Sequence, residues 1–244
     1  MSPAIDLAPA VDHSRGLRAR EARDEIASGA LRGAALLELL RSLPVRDRDV
    51  WVDELLGFEE PPPDIPGLPR GSVPYLPAGV DEILAMVLEA PVRPGDEFVD
   101  LGSGLGRVVI LAHLLTGARA LGVEIQEPLA AIARARCVAL NLPAVSFVHA
   151  SAADVALEGS IFFLYAPFNG ETLTAVLRRI EAVARRQAIV VCALGLELRD
   201  VSWLRPRTIS NVSLALYDSH VPGVSARPRG HWSPGLESAP RPRT

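Results

Sequence analysis

The feature that most constrains the fold is a run of glycines between an apolar strand pattern and an apolar helix pattern. Residues 98–101 are Phe-Val-Asp-Leu, residues 102–106 are Gly-Ser-Gly-Leu-Gly, and residues 108–115 are again mainly apolar. Glycine accepts backbone angles that a Cβ forbids, and it lets a ligand lie directly against the main chain. A strand, a glycine turn and a helix in this order therefore predict a nucleotide-type loop within an α/β fold.

The sequence after residue 78 alternates between short β-branched runs and segments of helical period, as βαβ units do. The patterns predict helices over 78–89, 104–116, 127–140 and 171–184, and strands over 97–101, 118–124, 145–149, 160–165, 188–192, 207–210 and 214–220. The last two strands are only a few residues apart and should form an antiparallel hairpin, whereas strands followed by crossovers should be parallel.

Four parts are predicted along the chain. They are a helical N-terminal extension (1–58), a Pro-rich linker (59–72), an α/β domain (73–221) and a flexible C-terminal tail (222–244). Within the extension, apolar stripes at 36–40 and 51–56 must be buried against something. We therefore hypothesise that the extension covers the pocket of the substrate.

The residues around the glycines distinguish between classes of adenosine-bearing ligand. A nicotinamide or flavin loop has the spacing Gly-x-Gly-x-x-Gly, but Arg107 occupies the third glycine position and the glycine stands at Gly106. Asp100 would repel a pyrophosphate and attract the ammonium of a methionine group. Glu124, about 20 residues further on, is suited to accept hydrogen bonds from both ribose hydroxyls. The pattern predicts S-adenosylmethionine as cofactor, with S-adenosylhomocysteine as product.

The segments 99–107 (Val-Asp-Leu-Gly-Ser-Gly-Leu-Gly-Arg) and 122–124 (Gly-Val-Glu) resemble the first two motifs of class I, seven-strand S-adenosylmethionine-dependent methyltransferases. Within this class, the chain is most similar to SET-independent histone-lysine methyltransferases and small mitochondrial-type protein-lysine methyltransferases. Those families carry a Tyr-x-Pro-Thr element near the cofactor; residues 75–78 are similar, with Ala78 in place of threonine. The resemblance spans about 73–220 and implies a three-layer, Rossmann-like sheet, mostly parallel with a C-terminal antiparallel hairpin.

On the cofactor side, the predicted binding residues lie in the glycine loop and at the carboxyl ends of the strands. They are Asp100, Gly102, Ser103, Gly104, Gly106, Glu124, Ile125, Ser151, Ala152 and Tyr165. The resemblance implies an acidic adenine-binding residue where this chain has Ser151, whose neutral hydrogen bond is weaker. The backbone N–H of Ala152 is a second expected partner. Asp154 is either a third or a solvated, helix-capping residue.

On the acceptor side, the candidate catalytic residues are Tyr165, Tyr75 and Asn169. In-line methyl transfer needs an aligned nucleophile and exclusion of water more than a strong acid or base. Either tyrosine ring could favour the sulfonium and either hydroxyl could accept from an amine, or the rings could simply be packed. Asn169 is a substrate ligand or a helix N-cap. The neighbouring loop resembles the Asn-Pro-Pro-Tyr loop of amino-group methyltransferases, but Ala166 replaces the residue that accepts from the amine.

Composition argues against several partners. The net charge is −4 and no basic, aromatic-interleaved segment is present, which argues against a nucleic-acid substrate. All 25 basic residues are arginine, so no lysine can act as a nucleophile. No segment approaches the roughly 18 apolar residues expected of a membrane span. No cluster of ligands predicts a metal, and Cys137 and Cys192 fit a reducing cytoplasm as core thiols.

Three functions remain open at this stage. The family resemblance favours methylation of a lysine-type side chain on a protein acceptor. A small-molecule metabolite is the alternative acceptor, because the chain is acidic rather than basic. The third possibility is a non-catalytic module that only binds the cofactor. The sequence predicts neither the atom methylated nor the oligomeric state.

Overall fold

The structure is a computed structural model that describes residues 8–58, 60–69, 71–166, 168–209, 211 and 213–227. Within these residues one seven-stranded sheet has the order β3-β2-β1-β4-β5-β7-β6. The strands are β1 (Glu97–Leu101), β2 (Arg119–Glu124), β3 (Val145–His149), β4 (Ile161–Tyr165), β5 (Val190–Leu194), β6 (Leu204–Pro206) and β7 (Leu214–Ser219). All neighbours are parallel except β7, which is antiparallel to β5 and β6. The predicted fold class is confirmed.

Helices cover both faces of this sheet. They are α1 (Ala8–Ser28), α2 (Gly33–Ser42), α3 (Val45–Leu56), α4 (Val80–Glu89), α5 (Arg107–Thr116), α6 (Glu127–Ala139) and α7 (Gly170–Ala184). Side chains alternate between the faces of each strand, so in β4 Phe163 joins the apolar cluster of α4 and α5, while Phe162 joins that of α7. Two hydrophobic clusters on one sheet make the three-layer architecture.

The N-terminal helices belong to the first of these clusters. Leu36 of α2 and Trp51 of α3 are buried together with residues of α4 and α5. The buried Arg107 guanidinium, at the start of α5, contacts the Asp53 carboxylate of α3 at 2.5 Å and donates to the Ala78 carbonyl at 2.9 Å. Asp49 of α3 accepts the backbone N–H of Val80 at the start of α4. The extension is therefore packed into the core of the α/β domain.

Several element boundaries differ from the predictions. The predicted strand at 207–210 is wrong, because β6 occupies Leu204–Pro206, where the buried Trp203 and Leu204 anchor the edge of the sheet. The predicted helix at 104–116 begins at Arg107, since Gly104 and Gly106 have left-handed backbone angles that a regular helix does not accommodate. The strand predicted at 188–192 lies two residues later, at Val190–Leu194.

Part of the predicted tail is attached to the domain. The Arg227 guanidinium pairs with the Asp96 carboxylate just before β1, and both side chains are almost buried. Residues 228–244 lie outside the described part of the chain, so the flexible tail stays a prediction.

Candidate active site

A cavity of about 400 Å³ lies at the carboxyl ends of β1, β2 and β4. Its floor and sides come from Gly102, from the end of β2 (124–126), from the segment after β3 (150–154) and from the loop after β4. The remaining wall comes from the Pro-rich linker, within 68–76. The described lining begins at Leu68, so the linker, rather than the N-terminal helices, covers this cavity.

The glycine loop is fixed by hydrogen bonds from its backbone to β2. The N–H groups of Gly102 and Ser103 donate to the Val123 carbonyl at 2.8 and 3.1 Å, and that of Gly104 donates to Glu124 Oε2 at 2.7 Å. Gly104 has φ of +53°, and a Cβ there would lie only 2.1 Å from the Tyr75 ring. The loop therefore requires glycine at 104 both for its backbone angle and for close packing.

Glu124 is the acidic residue at the end of β2, as predicted, and it lines the cavity. Its Oε1 accepts a hydrogen bond from the Gln126 N–H at 2.8 Å, while its Oε2 accepts from the Gly104 N–H. Burial raises the pKa of Glu124 above its usual range, while these backbone donors oppose the shift. Each carboxylate oxygen has a second lone pair, so the side chain still has capacity for ribose hydroxyls.

Asp100 lies in β1, two residues before the glycine loop, with only 2% of its surface exposed, and it is not among the described residues that line the cavity. Burial raises the pKa of Asp100 well above its usual range, and the nearby charge of Glu124 adds to the increase. A cationic ligand group beside this carboxyl would favour its ionised form and reverse the shift. The site is thus electrostatically suited to an ammonium.

Tyr75 lines the cavity with its ring, which lies directly against Gly104. Its hydroxyl accepts a hydrogen bond from the backbone N–H of Leu105, and burial raises the pKa of Tyr75 to about 12. The hydroxyl is thus engaged with the glycine loop, and Arg107 and Asp53 also lie near it. This geometry suits a residue that fixes the loop better than one that accepts from a substrate amine.

The loop after β4 forms the acceptor side of the cavity. Tyr165, Ala166 and Phe168 line it, together with Thr172 of α7, which the sequence analysis missed. Asn169 is exposed and outside the described lining, at the N-cap position of α7 without a capping side-chain hydrogen bond. The structure therefore brings Tyr165 and the Tyr75 ring to one cavity and leaves Asn169 outside it.

The segment after β3 lines the end of the cavity where the sequence analysis predicts that the adenine binds. Ser151 Oγ accepts the N–H of Ala153 at 3.2 Å, so the hydroxyl also stabilises its own turn. Ser151, Ala152 and Ile125 line the cavity, as does the exposed Asp154. Ser103, Gly104 and Gly106 belong to the glycine loop but are not among the described residues that line the cavity.

Two further polar residues at the cavity were missed. Gln126, with 3% of its surface exposed, lines the wall and donates through Nε2 to Asp64 Oδ1 at 2.7 Å. Asp64 is in the linker, 62 residues earlier in the chain. The only sequence signal for these two residues is a glutamine two positions after Glu124. The local sequence does not indicate that the partner of this glutamine lies 62 residues earlier in the chain.

Two kinds of feature are not found within the described ranges. No three or more His, Cys, Asp or Glu side chains in this part of the chain form a group that could hold a metal ion. None of its helices is long and apolar enough to cross a membrane.

Comparison with protein families and curated proteins gives one match. Residues 78–151 match the model of the family described as "Histone methylation protein DOT1". This segment includes the glycine loop, Glu124 and Ser151. None of the curated proteins compared with the chain matches it.

Solved structures give matches over about three fifths of this chain. An RNA methyltransferase from Salinibacter ruber, in complex with S-adenosylhomocysteine, is 23% identical with a TM-score of 0.50, over 61% of this chain and 95% of that one. A proposed methyltransferase of Escherichia coli is 20% identical over 63% and 90%, with a TM-score of 0.48. A precorrin 8W decarboxylase from Methanobacterium thermoautotrophicum is 19% identical over 60% and 93%, with a TM-score of 0.45. The first of these matches assigns the fold.

Proposed function

We propose that this class I, S-adenosylmethionine-dependent methyltransferase methylates a lysine-type amine on a protein. The observation that carries the proposal is the match of residues 78–151 to the histone methylation family, because that segment contains most of the residues predicted to bind the cofactor, from Asp100 to Ser151. The cavity geometry supports the same assignment.

The side chains that line the cavity, together with the buried Asp100 near Glu124, suit S-adenosylmethionine. The buried Asp100 carboxylate would hold the ammonium, and Glu124 would accept from the ribose hydroxyls with its remaining lone pairs. Ser151 and the backbone of Ala152 would bind the adenine. When bound, the cofactor supplies a methyl group on a sulfonium, which is the electrophile. The predicted binding residues would thus provide partners for the ammonium, the ribose hydroxyls and the adenine of the cofactor.

The size of the cavity supports a side chain rather than a free metabolite as acceptor. A volume of about 400 Å³ is near the lower end of the ~300–1,000 Å³ range of single-ligand pockets, so little room remains beside the cofactor. An acceptor would therefore enter from outside, as a slender side chain does.

The chemistry of the wall favours an amine. Among the described lining residues, the charged ones are acidic, Glu124 and Asp154, and no cationic side chain would repel a lysine. Tyr165 could accept a hydrogen bond from the neutral amine and so direct its lone pair toward the methyl carbon. Phe168 and the linker would keep water out. The proton that the amine loses would pass to solvent.

The test is transfer of tritiated methyl groups from S-adenosylmethionine into fractionated lysate. Label in protein bands, recovered as methyl-lysine, is expected. The enzyme's own band offers an internal control, because the chain contains no lysine and cannot gain lysine-linked label. Label in low-molecular-weight or ribonuclease-sensitive material would replace the protein acceptor by a metabolite or RNA.

Two variants connect the result to the site. Tyr165→Phe should lower turnover at least fivefold while leaving S-adenosylhomocysteine affinity within twofold, because only the hydroxyl is lost. Asp100→Ala and Glu124→Ala should abolish measurable cofactor binding in calorimetry. Unchanged binding in both variants would contradict the cofactor assignment, and binding without any transfer would indicate a non-catalytic module.

A further inference from the structure

The Pro-rich linker packs across the cavity as a strap, formed by residues 64–69 and 71–76. Among the described strap residues, the backbone hydrogen bond within the strap is that of one turn, in which the Ser72 N–H donates to the Pro69 carbonyl at 3.0 Å. The strap also contains no regular helix or strand. Its position must therefore be determined by contacts with the rest of the molecule.

One group of contacts centres on Gln126. Its Oε1 accepts the N–H of Ile65 at 2.9 Å, and its Nε2 donates to Asp64 Oδ1 at 2.7 Å. The same Asp64 oxygen accepts the N–H of Tyr75 at 3.2 Å. A single carboxylate oxygen thus joins both ends of the strap to Gln126, two residues after the end of β2.

A second group of contacts holds the middle of the strap to the acceptor side. Ser72 pairs with Phe168 as an isolated antiparallel bridge, and the Asn169 N–H donates to the Gly71 carbonyl at 2.9 Å. The strap therefore spans from the predicted ribose side to the predicted acceptor side. A ligand in the cavity would be covered by it.

We infer that Gln126 and Asp64 are positioning residues that hold the strap over the bound cofactor and limit the rate at which the product leaves. This inference depends on the proposed cofactor but not on the identity of the methyl acceptor. The position of Gln126 supports it, because this almost fully buried side chain lines the cavity two residues after Glu124. Loss of either partner would free the strap while leaving the glycine loop and Glu124 in place.

The test measures the release rate of tritiated S-adenosylhomocysteine from the full chain after a chase with unlabelled compound. Asp64→Ala and Gln126→Ala each remove two of the hydrogen bonds that hold the strap in place, so release should accelerate roughly tenfold. Asp64→Asn retains an oxygen acceptor and should stay within about threefold of the original protein. The double Ala variant should accelerate release by less than the product of the two single effects, because both changes break the bond between Asp64 and Gln126.

A matched control separates these effects from general destabilisation. Gln187→Ala removes a comparable glutamine bond, from Nε2 to the Gly159 carbonyl at 2.8 Å, away from the cavity. Release from this variant should be unchanged. Release from both Asp64→Ala and Gln126→Ala within twofold of the original protein would overturn the inference, as would equal acceleration in Gln187→Ala. Failure of the unchanged protein to bind the compound would overturn the cofactor assignment as well, whereas binding without methyl transfer would overturn the proposed activity alone.

Discussion

Replacement of Asp53 by alanine should lower the free energy of unfolding by about 2 kcal/mol, because it removes the main partner of a buried cation. The Arg107 side chain is 6% exposed, and Asp53 receives hydrogen bonds from its Nε and Nη2 atoms. Breaking a fully buried ion pair costs about 3–5 kcal/mol, whereas an exposed pair contributes about 0–1 kcal/mol. Asp53 is 37% exposed and Ala78 still accepts from Arg107, so an intermediate value follows.

Urea unfolding followed by circular dichroism measures this loss, and the melting temperature should fall by about 4–8 °C. Asp47→Ala on the same helix is the matched control, since its carboxylate lies 3.9 Å from an Arg46 side chain that is 87% exposed. The control should cost no more than about 1 kcal/mol, mostly through the helix dipole. Equal losses in the two variants would show that Arg107 does not depend on α3, contrary to the packing argument.

Three further predictions concern the cofactor site. Gly104→Ala should reduce S-adenosylhomocysteine affinity at least tenfold in calorimetry, because the added Cβ would clash with Tyr75. Gly29→Ala is the control, because Gly29 also has a positive φ (+83°) but has open space around it. This control should show only the backbone strain of about 1 kcal/mol and should bind the compound normally. Glu124→Gln should weaken binding about tenfold by loss of charge-assisted bonds, and an unchanged affinity would contradict its ribose role. The raised pKa of Asp100 means that the folded, cofactor-free protein retains a proton that the unfolded chain loses above pH 3.8. As pH increases from 3.8 towards the raised pKa of Asp100 in the folded protein, the stability of the cofactor-free protein should therefore fall. Cofactor affinity should rise over the same pH range. Calorimetry in buffers of different ionisation enthalpy should detect proton release, and its absence would contradict an ionised Asp100 in the complex.

Local patterns were sufficient to predict much of the sheet. β1 and β3 occupy the predicted residues because alternating or apolar runs with clear turn signals determine a strand without distant information. The glycine loop and Glu124 were predictable for the same reason, since both lie at strand ends. β6 was not predictable, because its position depends on burial of Trp203 against the second cluster rather than on the β-branched residues that follow.

Long-range polar contacts account for what the sequence did not reveal at the site. The proline content of the linker indicates an extended segment, which suggests a boundary between domains. Its role as a cavity wall depends on the bond between Asp64 and Gln126, and Arg107 likewise finds Asp53 54 residues away. Neither pair has a local signature. Asn169 shows the opposite case. The sequence suggests it as a substrate ligand because it is a polar residue in the loop after β4, but it lies outside the described cavity lining.

The backbone at Ala166 has a consequence for the evolution of acceptor preference. Ala166 lines the cavity with φ of +35°, in the left-handed region that asparagine and aspartate tolerate better than other non-glycine residues. The turn after β4 is thus already shaped for the amide or carboxylate that amino-group methyltransferases use there. The backbone conformation at this position does not require alanine. One substitution at Ala166 could therefore supply the missing hydrogen-bond acceptor for an amine without a change in the loop backbone.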